Sequence, residues 1–336
     1  MRFNQRSVYL VLITVLVLSL AMVGCGSKNQ ETVMKDLTNF KQELKSYTSK
    51  ATMTVTAHNS QQKYYIETWY LAPNYYRIAL GNDPKDITQV IVKNDDGIFV
   101  VSPQLKKSFR FKGDWAENQG HVYLYHAAVD RILKSKDLAY DAAEGKLSFT
   151  LKMEPENPLI AKQRIVLNET NLHPLQVALL DKDAKSVVSV DFDSFSTGVD
   201  YKKENFTSEA AMALAPTDAQ PVMAGAKDFG IIEPRYLPEG VTKLQPQESK
   251  SSVMLRFSGD NPFTIIEQRP AAKDSAMRSG ELVDLWGTPA VLAQVDGGET
   301  RSMHWFHNNV EFSLTGKLPV EEMVKVAQSM IGTVGK

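Results

Sequence analysis

The chain has 336 residues, with 38 Lys and Arg against 39 Asp and Glu, a formal net charge of -1 and 43% hydrophobic residues. That apolar content supports a packed core rather than a disordered polymer, and a balanced charge with no basic run beyond a pair after the first residues lacks the electrostatic footprint of a nucleic-acid binder. A single cysteine, Cys25, excludes an intrachain disulfide and a multi-cysteine metal site.

The first segment carries Arg2 and Arg6 and no acid before Glu31, then an apolar run over 8–23 that ends in Gly24-Cys25-Gly26. A secretory core needs about 7–15 apolar residues and a spanning helix about 20, so this run reads as an export signal over 1–24. The stretch Ala21-Met22-Val23-Gly24-Cys25 resembles the bacterial lipobox, with Met22 where Leu is commoner. That resemblance implies diacylglycerol on the Cys25 sulfur and cleavage just before it. Two acyl chains hold a membrane stably where one does not, and the thioether leaves no thiol for catalysis or metal binding. Residues 25–30 then form a lipidated terminus and a flexible polar spacer.

Val33, Leu37, Phe40 and Leu44 recur at helical spacing and predict an amphipathic helix. From Lys50 the period falls to two, and strands are expected at 51–57, 63–71, 75–80, 89–93 and 98–101. The Asp96-Gly97 pair supplies turn chemistry before the last of these. Phe109 and Phe111 alternate with basic residues in a further strand. Val122, Tyr125, Val129, Ile132 and Leu133 mark a second amphipathic helix over 121–136. Strands follow at 146–153, 163–168, 175–180 and 186–192.

The order of one helix, a strand meander, a covering helix and more strands resembles the LolA/LolB lipoprotein-carrier superfamily over about 31–206. The passages that carry this are Asp96-Gly97-Ile98-Phe99-Val100-Val101-Ser102-Pro103-Gln104-Leu105-Lys106-Lys107 and Tyr70-Leu71-Ala72-Pro73-Asn74-Tyr75-Tyr76-Arg77. The resemblance implies an incomplete antiparallel β-barrel capped by helices, enclosing an apolar chamber for acyl chains. Met53, Val55, Ile66, Trp69, Ile78, Val92, Phe99 and Val101 are its candidate liners, the inward strand face being undetermined; a filled core is the other reading of these side chains.

The Ala- and Pro-rich stretch 207–228 has no sustained period and reads as a linker. Beyond it, 229–336 is expected to form a smaller α+β domain. Strands are expected at 253–257, 263–268, 291–295, 302–307 and 310–314, with an Asn308-Asn309 turn and a last helix opening after Pro319. Tyr236-Leu237-Pro238-Glu239-Gly240, Trp305-Phe306 and Phe312-Ser313-Leu314-Thr315-Gly316 resemble a C-terminal domain of sporulation and anti-sigma-type envelope proteins. Taken whole, the chain resembles the YdcC/GerS-type sporulation lipoproteins of spore formers.

No phosphate loop, nucleophile elbow or zinc-helix motif is present, and neither an enzyme nor a cofactor is expected. His304 and His307, three residues apart on a strand, point to opposite faces and make a poor ligand pair. Asp181, Asp183, Asp191 and Asp193 lack a calcium-type loop and read as solvated. The expectation is a lipid-anchored protein outside the cell membrane that binds lipid or lipoprotein acyl chains and serves sporulation or germination. The alternative is an RseB-like regulator or scaffold acting on an envelope protein partner.

Overall fold

The computed structural model describes residues 28–57, 60–104, 106–111, 122–153, 160–214, 231–268, 280–285, 288–295, 297–307 and 310–331. The export signal, Cys25 and the Asn308-Asn309 turn lie outside them. Among the described residues no helix is long and apolar enough to cross a membrane.

The chain is mainly β, in two antiparallel sheets. Helix α1 (Gln30–Glu43) is followed by β1 (Ser46–Ala57), β2 (Ser60–Leu71), β3 (Tyr75–Asp83), β4 (Asp86–Asn94), β5 (Gly97–Ser102) and β6 (Lys107–Phe111). Helix α2 (Tyr125–Lys134) then precedes β7 (Leu138–Ala143), β8 (Lys146–Lys152), β9 (Lys162–Asn168), β10 (Pro174–Leu180) and β11 (Ser186–Thr197). The sheet runs β6-β5-β4-β3-β2-β1-β11-β10-β9-β8-β7, with β6 and β7 at its two ends, so it does not close. Helices α1 and α2 lie against one face. Val33 and Leu37 of the first and Tyr125, Val129 and Ile132 of the second are buried in the same core as Ala51, Ile66, Leu147, Phe149, Ile165 and Val190. This is the half-barrel the amphipathic stripes require, because each helix must bury its apolar face on something.

Helix α1 begins where Asn29 accepts the backbone N–H of Thr32 through its side chain (2.9 Å), an ordinary N-cap. Residues 28–30 are therefore not part of the expected spacer. Lys28 is fixed, Asn29 caps and Gln30 is helical.

The expected linker likewise starts too early. Helix α3 (Ser208–Met212), capped by the Thr207 hydroxyl at the N–H of Ala210 (3.1 Å), buries Ala211 against the opposite face of the sheet together with Phe206. Phe206 and Ala211 supply the apolar contacts that hold this short segment in place. Residues 215–230 lie outside the described residues.

The second sheet contains β12 (Thr242–Lys243), β13 (Gln247–Glu248), β14 (Ser252–Ser258), β15 (Phe263–Gln268), β16 (Glu281–Leu285), β17 (Thr288–Gln294), β18 (Arg301–His307) and β19 (Val310–Gly316). Its main order is β12-β14-β15-β19-β18-β17-β16, with β13 beside β14. Helix α4 (Val320–Gln328) has Pro319 as its N-cap and buries Met323, Val326 and Ala327. Sequence reading missed the two-residue β12 and β13, too short to show a period, and also β7 and β16: neither Leu138-Ala139-Tyr140-Asp141 nor Glu281-Leu282-Val283-Asp284 carries enough β-branched or aromatic residues to signal a strand alone.

Candidate functional site

The concave face of the first sheet is the place where the expected chamber would lie. Met53, Val55, Ile66 and Ile78 all point there and are buried in the core shared with α1 and α2. Trp69, Val92, Phe99 and Val101 do not join them. They sit on the convex face, with Tyr75, Ala79, Val90, Phe206 and Ala211. Register explains the split: Trp69 pairs with Arg77, Arg77 with Val92 and Val92 with Phe99, one continuous row, whereas Ile78 pairs with Thr68 and with Ile91 on the other face.

At the helix side of the concave face the filling is aromatic. Tyr47 stacks on Tyr70 (5.1 Å between ring centroids) and on Phe195 (5.1 Å), and Tyr125 meets Phe195 edge-on at 4.8 Å. His126 stacks on Tyr70 at 4.2 Å, with its Nδ1 3.0 Å from the Tyr47 hydroxyl. His126 as a whole keeps some surface, but its ring is enclosed among Tyr47, Tyr70 and Tyr76. Desolvation, assisted by the charge of Lys41, pushes its pKa down to about 3, so the ring is neutral at ordinary pH. Burial raises the Tyr47 hydroxyl well above its usual range, so it is a hydrogen-bonding group and no base.

The second unit closes part of the same face. Lys107 on β6 and Glu311 on β19 form an ion pair of 3.3 Å, their side chains only 11% and 7% exposed. The Tyr64 ring packs against His307 (6.0 Å), with its hydroxyl 3.4 Å from His307 Nε2 and donating to Gln62. Burial lowers the His307 pKa to about 4. His304 lies on the other face of β18, with Nε2 2.6 Å from the Ser302 hydroxyl. Among the described residues no group of three or more His, Cys, Asp or Glu could hold a metal. Asp191 accepts from Gln176 (2.7 Å) on an exposed strand face.

Two groups escaped the sequence reading. Arg77 is 4% exposed, and its guanidinium lies 4.1 Å over the Trp69 ring, which itself stacks on Tyr201. Its signal, a charge inside an apolar strand, was visible in Tyr75-Tyr76-Arg77-Ile78. Glu267 is fully buried on β15, where both carboxylate oxygens accept the Ile232 N–H (3.2 and 3.1 Å) and burial raises its pKa to about 8. Only its place in the alternation with Phe263 and Ile265 hinted at that.

What these parts define is an open antiparallel half-barrel, filled by its own helices and joined to a second sheet unit. The model for the family described as Sporulation protein YdcC-like matches residues 5–206, and a domain of unknown function (DUF4367) matches 231–330. The chain belongs to the YdcC-like sporulation protein family. Sporulation protein YdcC of Bacillus subtilis is 33% identical over 340 residues, covering 98% of this chain and 99% of that one. Among solved structures, the MucA/MucB complex of Pseudomonas aeruginosa is 14% identical with a TM-score of 0.30, covering 90% of this chain and 99% of that one. A LolA superfamily protein from Nitrosomonas europaea is 10% identical with a TM-score of 0.31, covering 55% and 100%. Scores of this size do not bear on residue roles.

Proposed function

We propose that this protein is anchored by diacylglycerol on Cys25 to the outer face of the cell membrane of a sporulating cell, and that it works there as a scaffold for another envelope protein. Family membership supports the setting, and the leader with its Gly24-Cys25 ending supports the anchor. One observation favours protein contact over acyl carriage: Met53, Val55, Ile66 and Ile78, the side chains a lipid tail would touch, are already packed with α1, α2 and the aromatic cluster. A tail entering would have to displace that packing, at a cost of about 25 cal/mol for each Å² of apolar surface uncovered.

Acyl binding is the second reading, favoured by the apolar character of those same four residues. It requires α1 and α2 to lift from the sheet. Titrating a fluorescent fatty acid into the Cys25→Ser chain separates the two. The scaffold reading predicts no saturable binding; saturable binding that Met53→Trp abolishes would overturn it.

A further inference from the structure

Lys28 is held in place by three contacts. Its backbone N–H donates to Glu169 Oε1 (3.1 Å), its carbonyl accepts from the Tyr140 hydroxyl (2.6 Å), and its ammonium pairs with Asp36 (2.9 Å). Each partner is itself rigidly placed. Tyr140 is on β7, and Asp36 is nearly two turns inside α1, whose N-terminus Asn29 caps. Glu169 opens the β9–β10 turn, where its N–H donates to the Gly145 carbonyl (2.9 Å) and the Asn168 side chain accepts from the N–H groups of Thr170 and Asn171. The three side chains come from three separate elements, so no single local turn accounts for the pinning.

Cys25 is three residues before Lys28. Fully extended, three residues reach at most about 11 Å. On the reading that Cys25 carries the lipid, the geometry points to a membrane-facing surface: the rim of the first sheet formed by the β7–β8 turn and the β9–β10 turn rests against the lipid headgroups. The surface suits a wet, polar partner. Glu144, Gly145, Lys146, Thr170 and Asn171 are exposed there, and none is a large apolar side chain that would enter hydrocarbon. Burying such groups in the acyl region without partners would be unfavourable, so the rim lies on the bilayer and does not penetrate it.

The opposite rim is carried away from the membrane by the length of the strands. β10 runs from Pro174 to Leu180; its six residue-to-residue steps span about 20 Å at 3.4 Å each, and the next turn, with Lys182 exposed, stands beyond it. Lys107, which meets Glu311 of the second unit, is at the start of β6, where it pairs with Ser102 at the end of β5. A tether short enough to orient the first unit therefore also fixes which surfaces remain open to a partner.

The test uses the full lipidated chain in vesicles of phosphatidylethanolamine and phosphatidylglycerol that carry a headgroup quencher. With Cys25 acylated, the chain has no other thiol, so a dye on Thr170→Cys or on Lys182→Cys reports one position each. The dye at 170 should be quenched at least threefold more than the dye at 182. Inserting twelve Gly/Ser residues between Cys25 and Lys28 should bring the two together. Equal quenching in the chain of native length would overturn the placement while leaving the anchor intact. Mass analysis of the N-terminal peptide from the same samples separates that failure from a failure of the anchor: a peptide without diacylglycerol would overturn both.

Discussion

The two halves of the first sheet solve burial differently. In β8 and β9 exposed or half-exposed and buried residues alternate, because the concave face packs on α1 and α2 and the convex face meets water. In β3 seven consecutive residues are buried, and in β4 four are, because the segment around Tyr201, Phe206 and α3 covers their convex face as well. A two-sided strand reads as a continuous apolar run, and such a run conceals which face is which. Trp69, Val92, Phe99 and Val101 are apolar for the convex cover, and Met53, Val55, Ile66 and Ile78 for the concave core.

That difference gives an ordered series of substitutions. Phe149→Ala, on the concave side of β8, should cost about 3–5 kcal/mol by leaving a cavity in a packed core. Val92→Ala, fully buried on the convex side of β4, should cost about 2 kcal/mol, near the value of burying a Val. Thr150→Ala, the outward neighbour of Phe149 on β8, should stay within about 0.5 kcal/mol. Urea midpoints at constant slope measure all three. If Val92→Ala proved as mild as Thr150→Ala, the convex cover would not be a second core.

The second sheet sharpens the contrast by placing an acid at a core position of a one-sided strand. Glu267 has a folded pKa of about 8 against an ordinary carboxyl value of 4.5. The folded state therefore holds its proton over a range where the unfolded chain releases it. Stability from this group is full below about pH 4.5 and is lost, at about 1.4 kcal/mol per pH unit, as pH rises through about 8. Glu267→Gln keeps an acceptor for the Ile232 N–H and removes the titration. It should flatten that part of the pH–stability profile and stabilise the protein at pH 8. An unchanged slope would show that Glu267 does not titrate in this window.

Most of the architecture was legible because alternation and helical stripes are imposed by burial on one side. Helix α1 followed from Val33 and Leu37, β1 from Ala51, Met53 and Val55 against three threonines, and α4 from Met323 and Ala327 after Pro319. The parts that were not legible depend on long-range cover. Residues 208–212 read as linker because Ala211 has no periodic neighbours, and only the apolar convex face of β4 and β5 makes that segment a helix with a buried side. The candidate chamber was half legible for the same reason. Four of its eight residues share the concave face, and the other four answer to a cover that no local pattern announces. Lys28 read as spacer because its partners Glu169 and Tyr140 are more than a hundred residues away in the chain.

On the scaffold reading, the concave face is filled by this chain's own helices and takes up no acyl cargo. Native mass spectrometry of the Cys25→Ser chain, purified from a membrane-containing host without delipidation, tests it most directly. One species at the polypeptide mass is expected. A stoichiometric adduct of fatty-acid or phospholipid mass, lost on Met53→Trp, would contradict it.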